Sequence, residues 1–186
     1  MEHAKIVQKV RDILNEHGGD DGLSIGTDRV LLEEYIESAI PDAVIMLAQK
    51  GYKVNVADFT VVTDEGITIP DDYISLIVLK LDTWARAVEV VHSVESPQVI
   101  MAQNTYTAPK ANTPICWREG DLLKCLPVGK TIGVGEYNVT YDGADLNAEP
   151  KEATAVCYMA AALVLGIFGD DEGKQRLSDV ATNMLS

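Results

Sequence analysis

Residues 67–84, Ile67 to Trp84, read ITIPDDYISLIVLKLDTW, and this stretch organises the reading of the chain. From Tyr73 to Leu81 apolar residues stand on both faces: Ile74, Leu76 and Val78 on one side, Tyr73, Ile77, Leu79 and Leu81 on the other. That pattern predicts a strand buried on both sides. Pro70 has no N–H to give to a ladder, so it belongs at the strand's entrance, with Asp71 and Asp72 in the turn beside it. Asp82 and Thr83 break the run before Trp84. Pro70, Tyr73 and Trp84 are therefore expected to serve the fold of a β region.

On the N-terminal side of this stretch the apolar period is that of helices. Ile6, Val10, Ile13 and Leu14 recur at helical spacing over 2–16, with Gly18 and Gly19 as the stop. The polar 20–26 loop, DDGLSIG, lacks the ligand series of an EF-hand. A second helix is predicted from a cap at Thr27 or Asp28 to about Lys50, striped by Leu32, Ile36, Ala39, Ile40, Ala43 and Leu47. Pro41 is expected to kink it, and Gly51 to end it.

On the C-terminal side the period is that of strands. Residues 59–62 and 66–69 flank an acidic turn, 87–91 reads as a returning strand, and Ser96–Pro97 opens a short helix to about Asn104. Residues 105–114 carry no apolar period and are expected as a loop. Residues 115–118 and 122–126 form a hairpin signal around Glu119, Gly120 and Asp121, with Trp117 and Leu122 placed across it. A strand with one wet face follows at 137–141. Helices resume at Glu149, Pro150 and Glu152, with a stripe of Cys157, Ala161, Val164, Leu165 and Phe168, and a last helix carries Leu177, Val180, Ala181, Met184 and Leu185. The fold class expected is α+β: a helical bundle formed by N- and C-terminal helices (1–50 and 149–186), with an inserted antiparallel β region (59–142) in one domain.

The chemistry sought by motif is not found. Gly129, Lys130 and Thr131 resemble the end of a phosphate-binding loop, but Lys124 stands where that pattern needs glycine. Gly133 and Gly135 lack the third glycine of a dinucleotide fingerprint and read as turn residues. His3, His17 and His92 are too scattered for a metal set. The acidic pairs Asp20–Asp21, Asp71–Asp72 and Asp170–Asp171 read as solvated turn carboxylates. Cys116, Cys125 and Cys157 contain no Cys-x-x-Cys and read as buried thiols. No catalytic, cofactor-binding or metal residue is assigned, and no cofactor is expected. No apolar run approaches the roughly 20 residues that cross a bilayer, and the first residues lack the features of a signal peptide; no membrane partner is expected.

Fifteen basic and 29 acidic side chains give a formal net charge of −14. Phosphate binding through counterion release is disfavoured at that charge, which argues against a sequence-reading DNA binder.

The proline, the two acids, the aromatic, the apolar strand and the later tryptophan resemble the head-to-tail adaptor, or connector, proteins of tailed bacteriophages, of the short-tailed or crAss-like type. Ile69, Pro70, Asp71, Asp72, Tyr73, Leu76 and Trp84 carry the likeness. Gln103 with Asn104, residues 112–114 and the alanine-rich helix from Glu152 add to it, and in element order it covers most of the chain. Ser75 departs from it, since many relatives have a basic residue there. The resemblance implies a non-enzymatic virion protein at the head-tail interface, synthesised in the host cytoplasm. It implies a dodecameric homo-oligomeric ring docked on the portal protein, which holds further tail proteins and lets DNA pass through its lumen unbound. Glu33, Glu34, Glu37, Asp42, Glu149 and Glu152 are then candidates for an acidic channel wall. Two other classes fit the same residues: an acidic interaction scaffold, and an enzyme whose site converges only in three dimensions.

Overall fold

The computed structural model describes residues 1–17 and 29–186; the expected glycine stop at 18–19, the 20–26 loop and the cap at 27–28 lie outside the described residues. The chain forms two compact units, one of Met1–Asn55 with Thr140–Ser186, the other of Val56–Val139. The class is α+β, with helices at both ends of the sequence and strands between.

In the first unit, α1 (His3–His17) buries Ile6, Val10, Ile13 and Leu14, the four residues whose spacing predicts it. Helix α2 (Arg29–Gln49) buries Ile36, Ala39, Ile40, Ala43, Val44, Leu47 and Ala48. Leu32, expected in that stripe, is half-buried. Pro41 lies inside the helix, which continues through it unbroken. Its end is a Schellman turn: Gly51 has φ +89°, its N–H bonds the Ala48 carbonyl at 3.0 Å, and the Tyr52 N–H reaches back to Leu47 at 3.2 Å.

Helix α4 (Pro150–Ile167) is the centre of this unit, and α1, α2 and α5 (Asp171–Leu185) all pack on it. Its small side chains explain that. Ala153, Ala155, Ala160, Ala161 and Ala162 are all buried, so neighbouring backbones come close on several sides. Among the described residues α4 is also the one helix long and apolar enough, by composition, to cross a membrane. More than half of it, 56 %, is buried inside the fold, as in a core helix.

The second unit holds two sheets. One is three-stranded, in the order β1 (Val56–Asp58), β8 (Ile132–Val139), β4 (Tyr73–Leu81). The other is five-stranded, in the order β2 (Val62–Thr63), β3 (Gly66–Thr68), β7 (Leu122–Leu126), β6 (Ile115–Glu119), β5 (Val91–Ser93). Pairing is antiparallel except between β5 and β6, which run parallel. A short helix, α3 (Pro97–Ala102), separates those two strands in sequence. One apolar cluster draws on both sheets through Ile67, Leu79, Leu81, Cys116, Leu123 and Tyr137, and includes Phe59 and Trp84.

The strands differ from the sequence expectation at several points. Only Leu79 and Leu81 of β4 are fully buried. The strand ends its sheet, and beyond the pairing with β8 it has, among the described residues, a single bridge, Leu79 to Val88; its first six residues are half-buried. The returning strand expected at 87–91 reduces to that bridge, and regular pairing starts at Val91. Strand β8 begins at Ile132, so Gly133 and Gly135 are strand residues, not turn residues. A Cβ on Gly135 would lie 2.7 Å from Ile132 Cγ2, and its carbonyl accepts the Phe59 N–H at 2.7 Å. Trp117 faces Lys124, while Leu122 faces Glu119.

Candidate functional site: an exposed apolar surface

Helix α3 starts as its sequence requires. Ser96 is the N-cap, its hydroxyl accepting the Val99 N–H at 3.4 Å, and Pro97 occupies the first turn, where no N–H is needed. Val99 and Ala102 turn inward onto Ile115 and Trp117 of β6. On the opposite side of the helix, Ile100 is 61 % and Met101 58 % exposed among the described residues.

The loop that follows is held by hydrogen bonds rather than apolar packing. Asn104 Oδ1 accepts the Tyr106 N–H at 3.0 Å, the Thr107 hydroxyl donates to the Met101 carbonyl, and the Thr113 N–H donates to Lys110 at 2.9 Å. The Ala85 N–H bonds the Ala111 carbonyl at 2.8 Å, which ties the loop to the segment after Trp84. So held, the loop presents Tyr106 at 97 % exposure. An isoleucine, a methionine and a tyrosine are thus exposed within seven residues of sequence.

The start of β4 packs among aromatic rings. Tyr73 closes the turn through its N–H to the Pro70 carbonyl at 3.1 Å. Its ring lies 6.2 Å from Phe59 and 5.7 Å from Tyr137, and the latter two stack at 4.3 Å. Burial raises the Tyr73 and Tyr137 phenols above their ordinary range. Trp84 is buried and donates its indole N–H to the Pro127 carbonyl.

The phosphate-loop fragment has a different job. The Lys130 N–H, which a phosphate would need, donates to Asp82 Oδ1 at 2.9 Å, and the Thr83 N–H donates to the same oxygen at 3.0 Å. The Lys130 bond in particular holds the Asp82 carboxyl below its usual range. Gly129 is required by packing, since a Cβ there would lie 2.6 Å from Leu81 Cβ.

His3 Nδ1 lies 2.9 Å from the Tyr141 hydroxyl, His17 ends α1, and His92 sits in β5. Among the described residues no group of three or more His, Cys, Asp or Glu is placed to hold a metal. A cavity of about 350 Å³ lies along β7 near the end of β3, bordered by Ile67, Trp117, Lys124, Cys125 and Leu126.

Of the acidic wall candidates, Glu34, Glu37, Asp42 and Glu149 are exposed. Glu33 is half-exposed and pairs with Arg11 between α1 and α2, which offsets its charge. Glu152 is half-buried, with Oε2 enclosed and without a hydrogen-bond partner.

One arrangement escaped sequence reading. Cys116 and Cys125 stand directly opposite each other in the β6–β7 hairpin, their sulfurs 2.9 Å apart. Cys157 is apart from them in α4, its thiol bonded to the Ala153 carbonyl and pushed up to about 11 by burial. Compared with known proteins, the chain matches no protein-family model and no curated protein.

Proposed function

We propose that the chain is a ring-forming head-to-tail adaptor of a tailed phage, a structural rather than catalytic protein that docks beneath the portal and carries the tail parts. The observation that carries this reading is the uncovered apolar face of α3 with Tyr106 at the loop tip. A closed ring requires a heterologous interface, in which one patch meets a different patch on the next copy, and such a patch must be rigid and apolar at its centre. The resemblance around Pro70–Trp84 implies the class of assembly, a dodecamer on a portal, in which the exposed carboxylates of the helical unit would repel phosphate wherever they line the lumen.

The test uses two variants with the portal rings of the same phage. Replacing Ile100, Met101 and Tyr106 together by serine removes exposed side chains, so the unfolding free energy should hold within about 0.5 kcal/mol of wild type. Docking on portal and recruitment of tail proteins should be lost. Deleting residues 105–114 should have the same effect on assembly. Wild-type docking and recruitment by both variants would refute the reading.

A further inference from the structure

We infer that Cys116 and Cys125 form a dithiol-disulfide pair, a redox modification site that staples the β6–β7 hairpin when the protein meets an oxidising medium. The inference stands on hairpin geometry alone and does not depend on the proposed function.

The hairpin closes with Glu119 opposite Leu122 around the two-residue turn Gly120–Asp121, where Gly120 takes φ +62°. In a two-residue hairpin the closing pair exchanges both backbone hydrogen bonds, and hydrogen-bonded and non-hydrogen-bonded pairs then alternate. Counting outward, Arg118–Leu123 is non-bonded, Trp117–Lys124 bonded and Cys116–Cys125 non-bonded. Non-bonded partners have the closer Cα spacing, about 4.5 Å, with side chains leaning together. That spacing falls within the roughly 4.4–6.8 Å that a disulfide spans. The sulfurs are already in contact at 2.9 Å, so bridging needs side-chain adjustment and no change of register.

The two thiols differ in access. Cys116 is fully buried, and its hydrogen bond to Cys125 and then its burial push the thiol up. Cys125 is half-buried and borders the cavity beside β7. The entry point is therefore Cys125. With glutathione disulfide as oxidant, the Cys125 thiolate attacks one glutathione sulfur, breaking its S–S bond and releasing one glutathione. Cys116 gives up its proton and attacks Cys125 Sγ, displacing the second glutathione. Two electrons and two protons leave the protein, and two molecules of reduced glutathione form. In a reducing cytoplasm the pair stays as thiols, and outside a cell it closes.

The experiment equilibrates the full chain in a graded series of reduced and oxidised glutathione, natively and in urea, then alkylates and maps peptides. Under native conditions the expected product is a Cys116–Cys125 link with Cys157 free, and the equilibrium should favour the link at least tenfold more in the folded chain than in the unfolded one. The direction follows because a fold that pre-aligns two thiols is stabilised by their bond to the same degree. The Cys116→Ala variant should stop at a glutathione adduct on Cys125, and Cys125→Ala should take up none. If an alanine variant does not fold, the wild-type series still decides. A folded chain that favours the link no more than the unfolded chain does, or one that retains glutathione on Cys125 with Cys116 free, would overturn the inference.

Discussion

Trp84 donates its indole N–H to the carbonyl oxygen of Pro127 at 2.7 Å, 43 positions further along the chain. The tryptophan is 3 % exposed and packs with Leu79, Leu81 and the rest of the β-unit core. Truncation to alanine removes a large buried side chain and leaves that carbonyl unpaired, which should cost about 3–5 kcal/mol. Phenylalanine restores part of the volume but no donor, so its cost should fall between. Urea midpoints measure both, and an unchanged midpoint for Trp84→Ala would remove the residue from the core.

Asp170 caps α5, its carboxylate accepting the Gly173 N–H at 2.8 Å. Losing that cap in Asp170→Ala should cost about 1 kcal/mol. Alanine at a helical glycine ordinarily gains about 1 kcal/mol. Here the sign should reverse, because a Cβ on Gly173 would meet Asp170 Oδ2 at 2.2 Å and Leu165 Cδ1 at 2.8 Å. Gly173→Ala should be destabilising alone and milder in the Asp170→Ala background. A double-mutant cycle reads the coupling, and a stabilising single substitution would contradict it.

Alkaline pH should weaken the helical unit through Tyr141. Burial first, and the carboxylates of Asp142 and Asp145 after it, push its phenol up to about 12 from an ordinary 10.0. Between those values the unfolded chain has lost the proton and the folded chain keeps it, so stability is intact below pH 10 and falls as pH rises toward 12. The hydroxyl also donates to the Ala144 carbonyl at 2.5 Å. Tyr141→Phe should be less stable at neutral pH, yet lose less between those two pH values. Parallel pH profiles for the two proteins would contradict the assignment.

Net charge predicts a negative result with duplex DNA. At −14 per chain, with Glu34, Glu37, Asp42 and Glu149 exposed, the protein should show no measurable binding at physiological salt. Submicromolar, salt-sensitive affinity in a fluorescence titration would end the acidic-channel reading.

What could be read from the residues alone divides along physical lines. Local signals were legible: the stripe of α1, the Gly51 stop, the Ser96–Pro97 start and the turn at Gly120 each depend on neighbours a few positions away. Pairing between distant segments was not. Nothing near Val91 reveals that it runs parallel to β6, and Gly133 and Gly135 hide the start of β8 behind turn-like composition. The cysteine pair was within reach, because placing Glu119 against Leu122 puts Cys116 against Cys125 by counting; setting Trp117 against Leu122 concealed it. The exposed face of α3 had no sequence signal, since Val99 and Ala102 differ from Ile100 and Met101 only in which side β6 covers.

The insertion of Val56–Val139 between the two halves of the helical unit imposes an order of events during synthesis. Once Val139 has left the ribosome, every strand of the β unit has its pairing partner, and that unit is free to fold while translation continues. The first two helices must wait, because the surface they pack on, α4, is made more than one hundred residues after α1 begins. Until it arrives their apolar stripes stay uncovered, so a nascent chain stalled before Pro150 should be the form that chaperones bind.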